Sequence, residues 1–235
     1  MDWPDCVLAS NLFADFPQQA TGLLPEFPNS QPVWAILGSE SDYSLKSQLD
    51  SKLQELQQSG AARFDLAAVG ATTDESAGPV WVEPTAVIEP GAHLIGPCYI
   101  GPQATVRHAA YVRPYTWACY KSVIGHCSEV KHSILLPNAK APHFNYVGDS
   151  VLGQSVNLGA GTKISNLRND GTEVHVRIEG QRIGSGLRKF GAVLGDECQL
   201  GCNSVTNPGV VLGKSSFVHP NATVTGVHDS HSRHS

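Results

Sequence analysis

Residues 82–136 read VEPTAVIEPGAHLIGPCYIGPQATVRHAAYVRPYTWACYKSVIGHCSEVKHSILL, and in them an aliphatic residue returns at every sixth position: Val82, Ile88, Leu94, Ile100, Val106, Val112, Ala118, Ile124, Val130 and Leu136. Ala118 is the one small rung. The residue four places after a rung is small (Ala86, Ala92, Cys98, Ala104, Ala110, Thr116, Ser122, Ser128), and the one directly after it is often glycine or charged (Glu83, Glu89, Gly101, Gly125). A period of six fits neither the turn of a helix nor the alternation of an ordinary strand. It is the period of a short strand plus a corner, repeated, and it predicts a mainly β fold, a parallel β-helix built from hexapeptides. Each rung points into a narrow interior and stacks on the rung of the next coil. Small residues stand where the chain turns.

The ladder resumes at Leu152, Leu158 and Ile164, and again at Leu194, Leu200, Thr206, Leu212, Val218 and Val224, with small partners Thr162, Cys198, Ser204, Ser216 and Ala222. Leu136 and Leu152 are out of phase, so the reading places two excursions from the coil, one around Lys131 to Asp149 and one from Asn166 to Phe190. Excursions from solenoids commonly carry binding sites. In the second, Glu173 to Ile178 alternates, Glu179-Gly180 turns and Gln181 to Ile183 returns, which predicts an inserted β-hairpin at about residues 167–190.

The chain has 235 residues, 41% hydrophobic and 16% charged. That predicts one domain with a small appendage, long enough to bury a core. No apolar run approaches the roughly 20 residues that span a bilayer, and the acidic start Met1-Asp2-Trp3-Pro4-Asp5 lacks the regions of a signal peptide, so the expected address is cytoplasmic. Six cysteines show no pairing by spacing; Cys98 and Cys198 occupy the small corner position and read as buried thiols. A net charge of −5 argues against nucleic acid as a bulk partner while allowing a local basic pocket.

Residues 1–79 read as an irregular and helical N-terminal cap with a linker, 80–225 as the β-helix and 226–235 as a disordered tail. Met1 to about Asn29 has no period. Ser30, Gln31 and Pro32 start a helical segment through Leu37, and Ser41 or Asp42 caps a longer helix with Leu45, Leu49, Leu53 and Leu56 on one face up to Gly60. These helices are expected to cover the open end of the solenoid, whose last coil would otherwise expose apolar side chains and strand edges. Phe64 to Val69 allows one strand. The three histidines of the tail read as a frayed terminus.

Around the first excursion His143 stands with Lys131, Tyr146 and the later Asn157, polar groups where packing asks for none, which makes the stretch a candidate site. From here the likeness is carried by longer motifs. Lys140 to Thr162, KAPHFNYVGDSVLGQSVNLGAGT, resembles the acetyltransferase domain of the bifunctional glucosamine-1-phosphate acetyltransferase and N-acetylglucosamine-1-phosphate uridyltransferase family. NLRNDG, RIGSGLRKFGAVLGDECQLGCN and NPGVVLGK resemble more closely the archaeal-type sugar-1-phosphate nucleotidylyltransferases that carry the same module. The likeness runs from about Val80 to Val224.

The resemblance implies a left-handed β-helix and a homotrimer, with the amino-sugar phosphate held between neighbouring subunits. By position, Arg113 and Lys131 match phosphate and sugar ligands, Tyr146 and Asn157 match sugar-pocket residues, and Lys189 matches a basic residue of the pocket. His143 matches the general base and Asn166 the residue that positions the amine. Ala160, Cys202 and Pro220 match positions lining the acetyl-CoA groove, where Pro220 departs from the usual small residue and removes an N–H donor.

The chemistry of the residues is consistent with that assignment. Transfer of an acetyl group from a thioester to an amine needs a base near neutral pKa, which histidine supplies, and donors where the carbonyl gains charge. A sugar phosphate needs fixed cations. No step requires a metal.

The large α/β nucleotidyltransferase domain of the bifunctional enzymes, with its glycine-rich loop, does not fit in residues 1–79, so no nucleotidyl transfer is expected and that step would fall to a separate nucleotidyltransferase. Two functions stay open. The first is an acetyl-CoA-dependent N-acetyltransferase acting on an amino-sugar 1-phosphate. The second is a non-catalytic sugar-phosphate or nucleotide-sugar binding protein related to UDP-sugar pyrophosphorylases. A carbonic anhydrase on the same fold would need zinc histidines with one pair four residues apart, and His126, His132 and His143 lack that spacing.

Overall fold

In the computed structural model, which describes residues 3–14, 20–39 and 41–235, the ladder winds as a left-handed parallel β-helix with three faces. Each face is an eight-stranded parallel sheet. Sheet 1 runs from Thr72–Asp74 through His93–Ile95, Tyr111–Val112, Glu129–Lys131, Tyr146–Gly148, Lys163–Ile164 and Val205–Thr206 to Thr223–Val224. Sheet 2 runs from Val80–Val82 to Val227–His228, and sheet 3 from Val87–Ile88 to Arg233–His234. In register the rungs stack as expected: Leu94 on Val112, Val112 on Val130, Val130 on Val147 and Val147 on Ile164. All of them are fully buried, with Cys98 and Cys198 in the same inner column. Burial pushes the Cys98 thiol far up and the Cys198 thiol up to about 12, so both are inert side chains of the core.

The corners recur as regularly as the rungs. Gln103, Ala109, Tyr115, Lys121 and Cys127 take positive φ, between 51° and 61°, at successive turns. A left-handed conformation costs an ordinary residue roughly 1–2 kcal/mol, and hydrogen bonds to the coil before offset it: Tyr115 N donates to Pro97 O, Lys121 N to Pro102 O at 3.0 Å and Cys127 N to His108 O, while Gln103 N donates to Thr85 Oγ1.

The first expected excursion does not exist. The inner rungs run Val130, Leu135, Ala141, Val147, Leu152 and Leu158, so the coil is continuous through Lys131 to Asp149. Two corners are one residue shorter, turning at His132 (φ 43°) and Asp149 (φ 48°), which moves the phase without breaking the column. Leu135 therefore points inward, and Leu136 packs in a second, outer core. The second excursion is real: His175–Ile178 pairs antiparallel with Gln181–Gly184 across Glu179 (φ 49°) and Gly180 (φ 77°).

The cap lies along a flank of the solenoid rather than over its open end. Sheet 2 presents Trp81, Tyr99, Trp117, Ile134, Val151, Val193 and Val211 outward, an apolar stripe at every coil, and this stripe needs cover. Val7, Leu12, Trp34 and Ile36 supply it with Leu45, Leu49 and Leu53 of the long helix, joined by Val174 and Val176 of the hairpin. Trp34 stacks on Phe190 with centroids 5.6 Å apart. The open end is closed instead by the linker, where Phe64, Leu66, Val69 and Ala71 pack against the inner column.

Within the cap, Asp5–Val7 and Ala9–Leu12 form short helical turns where no period was visible, and Val33–Leu37 is a 3-10 turn. The long helix α1, Leu45–Ser59, is capped by Ser44, not by Ser41 or Asp42: Ser44 Oγ accepts from Ser47 N at 3.1 Å, and Gly60 (φ 68°) ends it. The expected strand at Phe64 to Val69 is absent; Thr72–Asp74 pairs with His93–Ile95 instead and opens sheet 1. Nor is the tail frayed. Val211 and Leu212 pair with Val227 and His228, and Phe217 and Val218 with Arg233 and His234, because the exposed edge of the last coil offers the tail unpaired N–H and C=O groups. Met1 and Asp2 of the acidic start lie outside the described residues. No described helix is long and apolar enough to cross a membrane.

Candidate functional site

Chemistry-bearing residues gather along the two long edges of sheet 1. At the edge shared with sheet 2, Arg113 and Lys131 each follow a buried rung and project outward. The short corner that turns at Asp149 places its carboxylate between neighbours: Lys131 Nζ donates to Oδ2 at 2.8 Å, His132 Nδ1 lies 2.9 Å from Oδ1, and Asn166 Nδ2 also donates to Oδ2. The Asp149 side chain is only 6% exposed. Burial alone would raise its pKa, but the hydrogen bonds from His132 and Lys131 and the lysine charge outweigh it and hold the carboxyl at about 2. Arg113 Nη1 donates to Glu129 Oε1 at 2.7 Å, and Tyr146 Oη donates to Asn166 Oδ1 at 3.4 Å.

The hairpin insertion leaves and returns at this edge. Leu167 bridges Lys189, Phe190 N donates to Asn166 O at 2.9 Å and Gly191 N to Asp149 O at 2.8 Å, which delivers Lys189 beside Lys131. Lys46 arrives from the first turn of α1. Together Lys46, Arg113, Tyr115, Lys131, Asp149 and Lys189, with Pro114 and His132, line a cavity of about 310 Å³.

The other edge, between sheets 3 and 1, carries His143, Ala160, Cys202 and Pro220 at one corner position on successive coils. The stacking is carried by backbone bonds: Gly161 N to His143 O at 2.9 Å, Asn203 N to Ala160 O at 2.8 Å and Asn221 N to Cys202 O at 2.9 Å. His143 is exposed at the head of this lane, and hydrogen bonds hold its corner. Its backbone N–H donates to Asn145 Oδ1 at 3.0 Å, and buried Asn145 donates onward to Gly159 O at 2.8 Å. Behind it, His108 and His126 stack with centroids 5.4 Å apart. Among the described residues the N–H groups of Ala160 and Cys202 have no acceptor, so the lane offers two free backbone donors and, at Pro220, none.

One chain thus brings together Arg113, Lys131 and Lys189, and joins Tyr146 and Asn166 to them through Asp149. It aligns His143 with Ala160, Cys202 and Pro220. It does not bring the two groups into contact, because the face between His143 and Asp149 is about 15 Å of extended chain. Nor do Lys131, His143, Tyr146 and Asn157 surround an interruption of the core, since there is none. Asn157 stands on the outer face of sheet 3, in register with Lys140 and Gln199, outside both groups.

Five cavity residues escaped the reading of the sequence as site residues: Asp149, His132, Pro114, Tyr115 and Lys46. The first two sit at the short corners, and the loss of phase between Val130 and Leu152 marked where to look. Lys46 stands out locally only as a cation in the first turn of a helix, where the dipole disfavours it, and nothing in the sequence ties it to this cavity. Among the described residues no three His, Cys, Asp or Glu side chains gather in a way that could hold a metal ion.

A family model described as the GMPPB C-terminal domain matches residues 94–228. The chain is 44% identical over 147 residues to a bifunctional sugar-1-phosphate nucleotidylyltransferase/acetyltransferase of Sulfurisphaera tokodaii, a match covering 63% of this chain and 37% of that protein. It is 40% identical over 126 residues to the bifunctional protein GlmU of Methanococcus vannielii, covering 54% and 29%. The chain therefore spans about a third of the length of these relatives. Among solved structures, the polysialic acid O-acetyltransferase OatWY aligns at 13% identity and a TM-score of 0.29, over 69% of this chain and 77% of that one. The acetyltransferase domain of PglB from Neisseria gonorrhoeae, in complex with acetyl coenzyme A, aligns at 11% and 0.23, over 92% and 78%. Likenesses this distant carry no argument about chemistry.

Proposed function

We propose, from the premise that this chain belongs to the GMPPB C-terminal domain family, that it is an acetyl-CoA-dependent N-acetyltransferase whose acceptor is an amino-sugar 1-phosphate, with glucosamine 1-phosphate as the acceptor to test. The names of the relatives, which pair sugar-phosphate nucleotidyl transfer with acetyl transfer, support the reaction class. The observation that carries the reading is the division of sheet 1: a cation-lined cavity along one edge, and along the other an exposed imidazole heading a lane of small residues with free backbone donors.

The active unit is then a homotrimer, in which the His143 edge of one protomer faces the Arg113 and Lys131 edge of its neighbour. Arg113, Lys131 and Lys189 hold the phosphate, Tyr146 contacts the sugar, Asn157 reaches it from sheet 3 of the neighbouring protomer that supplies His143, and Asn166, fixed by Asp149, orients the amine. His143 takes the proton the amine gives up. Ala160, Cys202 and Pro220 seat the acetyl donor, whose thioester supplies an activated acyl group. Residues 80–225 form the acyltransferase unit.

The test is thiol release from acetyl-CoA in the presence of glucosamine 1-phosphate or galactosamine 1-phosphate. The natural chain releases thiol with at least one of them, and His143→Ala loses roughly 100-fold or more, the usual worth of a positioned base, while still binding the sugar phosphate. A second reading, a non-catalytic sugar-phosphate or nucleotide-sugar binding protein, is favoured by Pro220, which leaves the lane short of a donor. It stands if both sugar phosphates bind and neither releases thiol.

A further inference from the structure

We propose that Lys46, from the N-terminal cap, is a fourth cation of the cavity at the edge of sheets 1 and 2, and that with Lys189 it makes the site selective for a phosphate monoester dianion over a monoanion. The proposal deepens the reading above by assigning a phosphate-binding role to a residue that lies outside the matched residues 94–228.

The charges within the cavity decide the matter. Arg113 is paired with Glu129 at 2.7 Å, and Lys131 with Asp149 at 2.8 Å. Each of these cations is largely neutralised before any ligand arrives. Lys46 and Lys189 line the same cavity, and neither has a carboxylate within ion-pairing distance among the described residues. Lys189 therefore faces the space without a counter-charge, and Lys46 is only partly offset, by Asp50 one turn along its own helix, with which it makes no ion pair. A phosphate monoester carries about two negative charges above its second pKa near 6, so it balances them, whereas a sulfate ester, carrying one, leaves a cation unpaired.

Lys46 is also poorly placed at the end of its own helix. It stands in the first turn of Leu45–Ser59, which contains no acidic residue, so the positive end of the helix and the lysine repel each other. The same arrangement adds the helix end to the positive potential of the cavity. The stem is aimed rather than loose: Lys46 Nζ lies 5.2 Å from the centroid of the Tyr115 ring, and Tyr115 Oη donates to Asp50 Oδ2, one turn further along the helix, at 3.3 Å. Leu45, Leu49 and Leu53, all buried in the outer core, fix the helix and hence the reach of the lysine. Tyr115 is itself a left-handed corner residue, at φ 61°, so its ring is set by the coil.

The experiment is calorimetric titration at pH 8 of the full chain and of Lys46→Met, Lys46→Arg and Lys121→Met. Glucosamine 1-phosphate is the ligand, with methyl phosphate and methyl sulfate as competitors of one shape and different charge. Methionine is a good helix former, and unchanged helix content by circular dichroism checks that α1 is kept. Lys46→Met is expected to weaken glucosamine 1-phosphate about tenfold, the usual worth of one charged hydrogen bond. It also weakens methyl phosphate more than methyl sulfate, so the preference between the two competitors shrinks. Lys46→Arg keeps that preference, and Lys121→Met, at an exposed corner away from the cavity, changes neither ligand.

Binding by Lys46→Met equal to that of the natural chain, or a loss falling equally on the phosphate and sulfate esters, overturns the proposal. So does a natural chain that binds neither ester. A natural chain that binds glucosamine 1-phosphate with the expected lysine dependence, yet releases no thiol from acetyl-CoA, sinks the acetyl-transfer reading alone and leaves the Lys46 assignment standing.

Discussion

Replacing Asp149 by Asn removes the one carboxylate that ties together Lys131, His132 and Asn166, and its cost can be worked from the structure. Asparagine keeps the shape of the side chain and tolerates the positive φ of 48° at this corner, so the backbone is not the variable. The Asp149 carboxyl is held at about 2 against an ordinary 3.8. At about 1.4 kcal/mol per pH unit this depression stabilises the fold by roughly 2 kcal/mol, and at 6% side-chain exposure little of it is lost to solvent screening. Because the folded pKa is the lower of the two, the contribution is fully present above about pH 4 and disappears as pH falls through about 2. Urea unfolding of the natural chain and of Asp149→Asn is the assay. At pH 7 the variant is expected to be less stable by about 2 kcal/mol, a loss of roughly 5–8 °C in Tm for a chain of this size. The gap between the two proteins then narrows between pH 4 and pH 2. Two stability curves that run parallel from pH 6 to pH 2 would refute the assignment of Asp149 as the ionised hub.

Other outcomes follow from single observations. Thr206 occupies an inner rung, is wholly buried and has an Oγ1 without a partner, so Thr206→Val is expected to raise stability by about 1 kcal/mol, read from the urea midpoint. A Cβ on Gly125 would lie 1.7 Å from Pro142 O of the next coil, so Gly125→Ala is expected to cost more than about 3 kcal/mol or to abolish soluble expression. Gly180→Ala, in the open hairpin turn with nothing within 4 Å, serves as its comparison and costs about 1 kcal/mol, the strain of φ 77° alone. Equal losses in the two glycine variants would contradict the close stacking of coils at that corner.

The period of six told nearly all of the solenoid because the interior accepts one side chain per strand, and that requirement is written locally in every repeat. What it hid was a change of one residue in the corners at His132 and Asp149. Phase counting cannot separate a shortened corner from an excursion, since both break the multiple of six; only the buried Leu135 beside the outward Leu136 decides between them. The hairpin was readable because Glu179-Gly180 turns within two residues. The placement of the cap was readable in principle: Trp81, Tyr99, Trp117, Ile134 and Val151 stand one position before a rung, where the other two sheets have residues such as Tyr111, Lys140 and Asn157. An apolar residue at that position on every third strand marks one covered face. Lys46 was out of reach for a different reason. Its part in the cavity depends on how α1 lies against sheet 2, a contact between segments with no common repeat.

The separation of His143 from Lys131 by the width of sheet 1 leads to a prediction about subunit mixing. If one active site takes its imidazole from one protomer and its phosphate cations from the next, then His143→Ala and Lys131→Met are each inactive as pure proteins, but they damage different halves of the site. Dissociating the two variants together and reassembling them randomly puts an intact His143 edge beside an intact Lys131 edge at about a quarter of the interfaces of a closed heterologous ring. Thiol release should therefore recover to about a quarter of the natural rate, on the arithmetic of such a ring. A site contained in one chain gives no recovery at any mixing ratio, because every chain still carries one lesion. Lys131→Met also leaves Asp149 short of a partner, so the reassembled species must first be shown by sedimentation to have the size of the natural protein. With that established, failure to recover activity removes the shared site, and with it the reason for the two edges of sheet 1 to carry complementary halves of one chemistry.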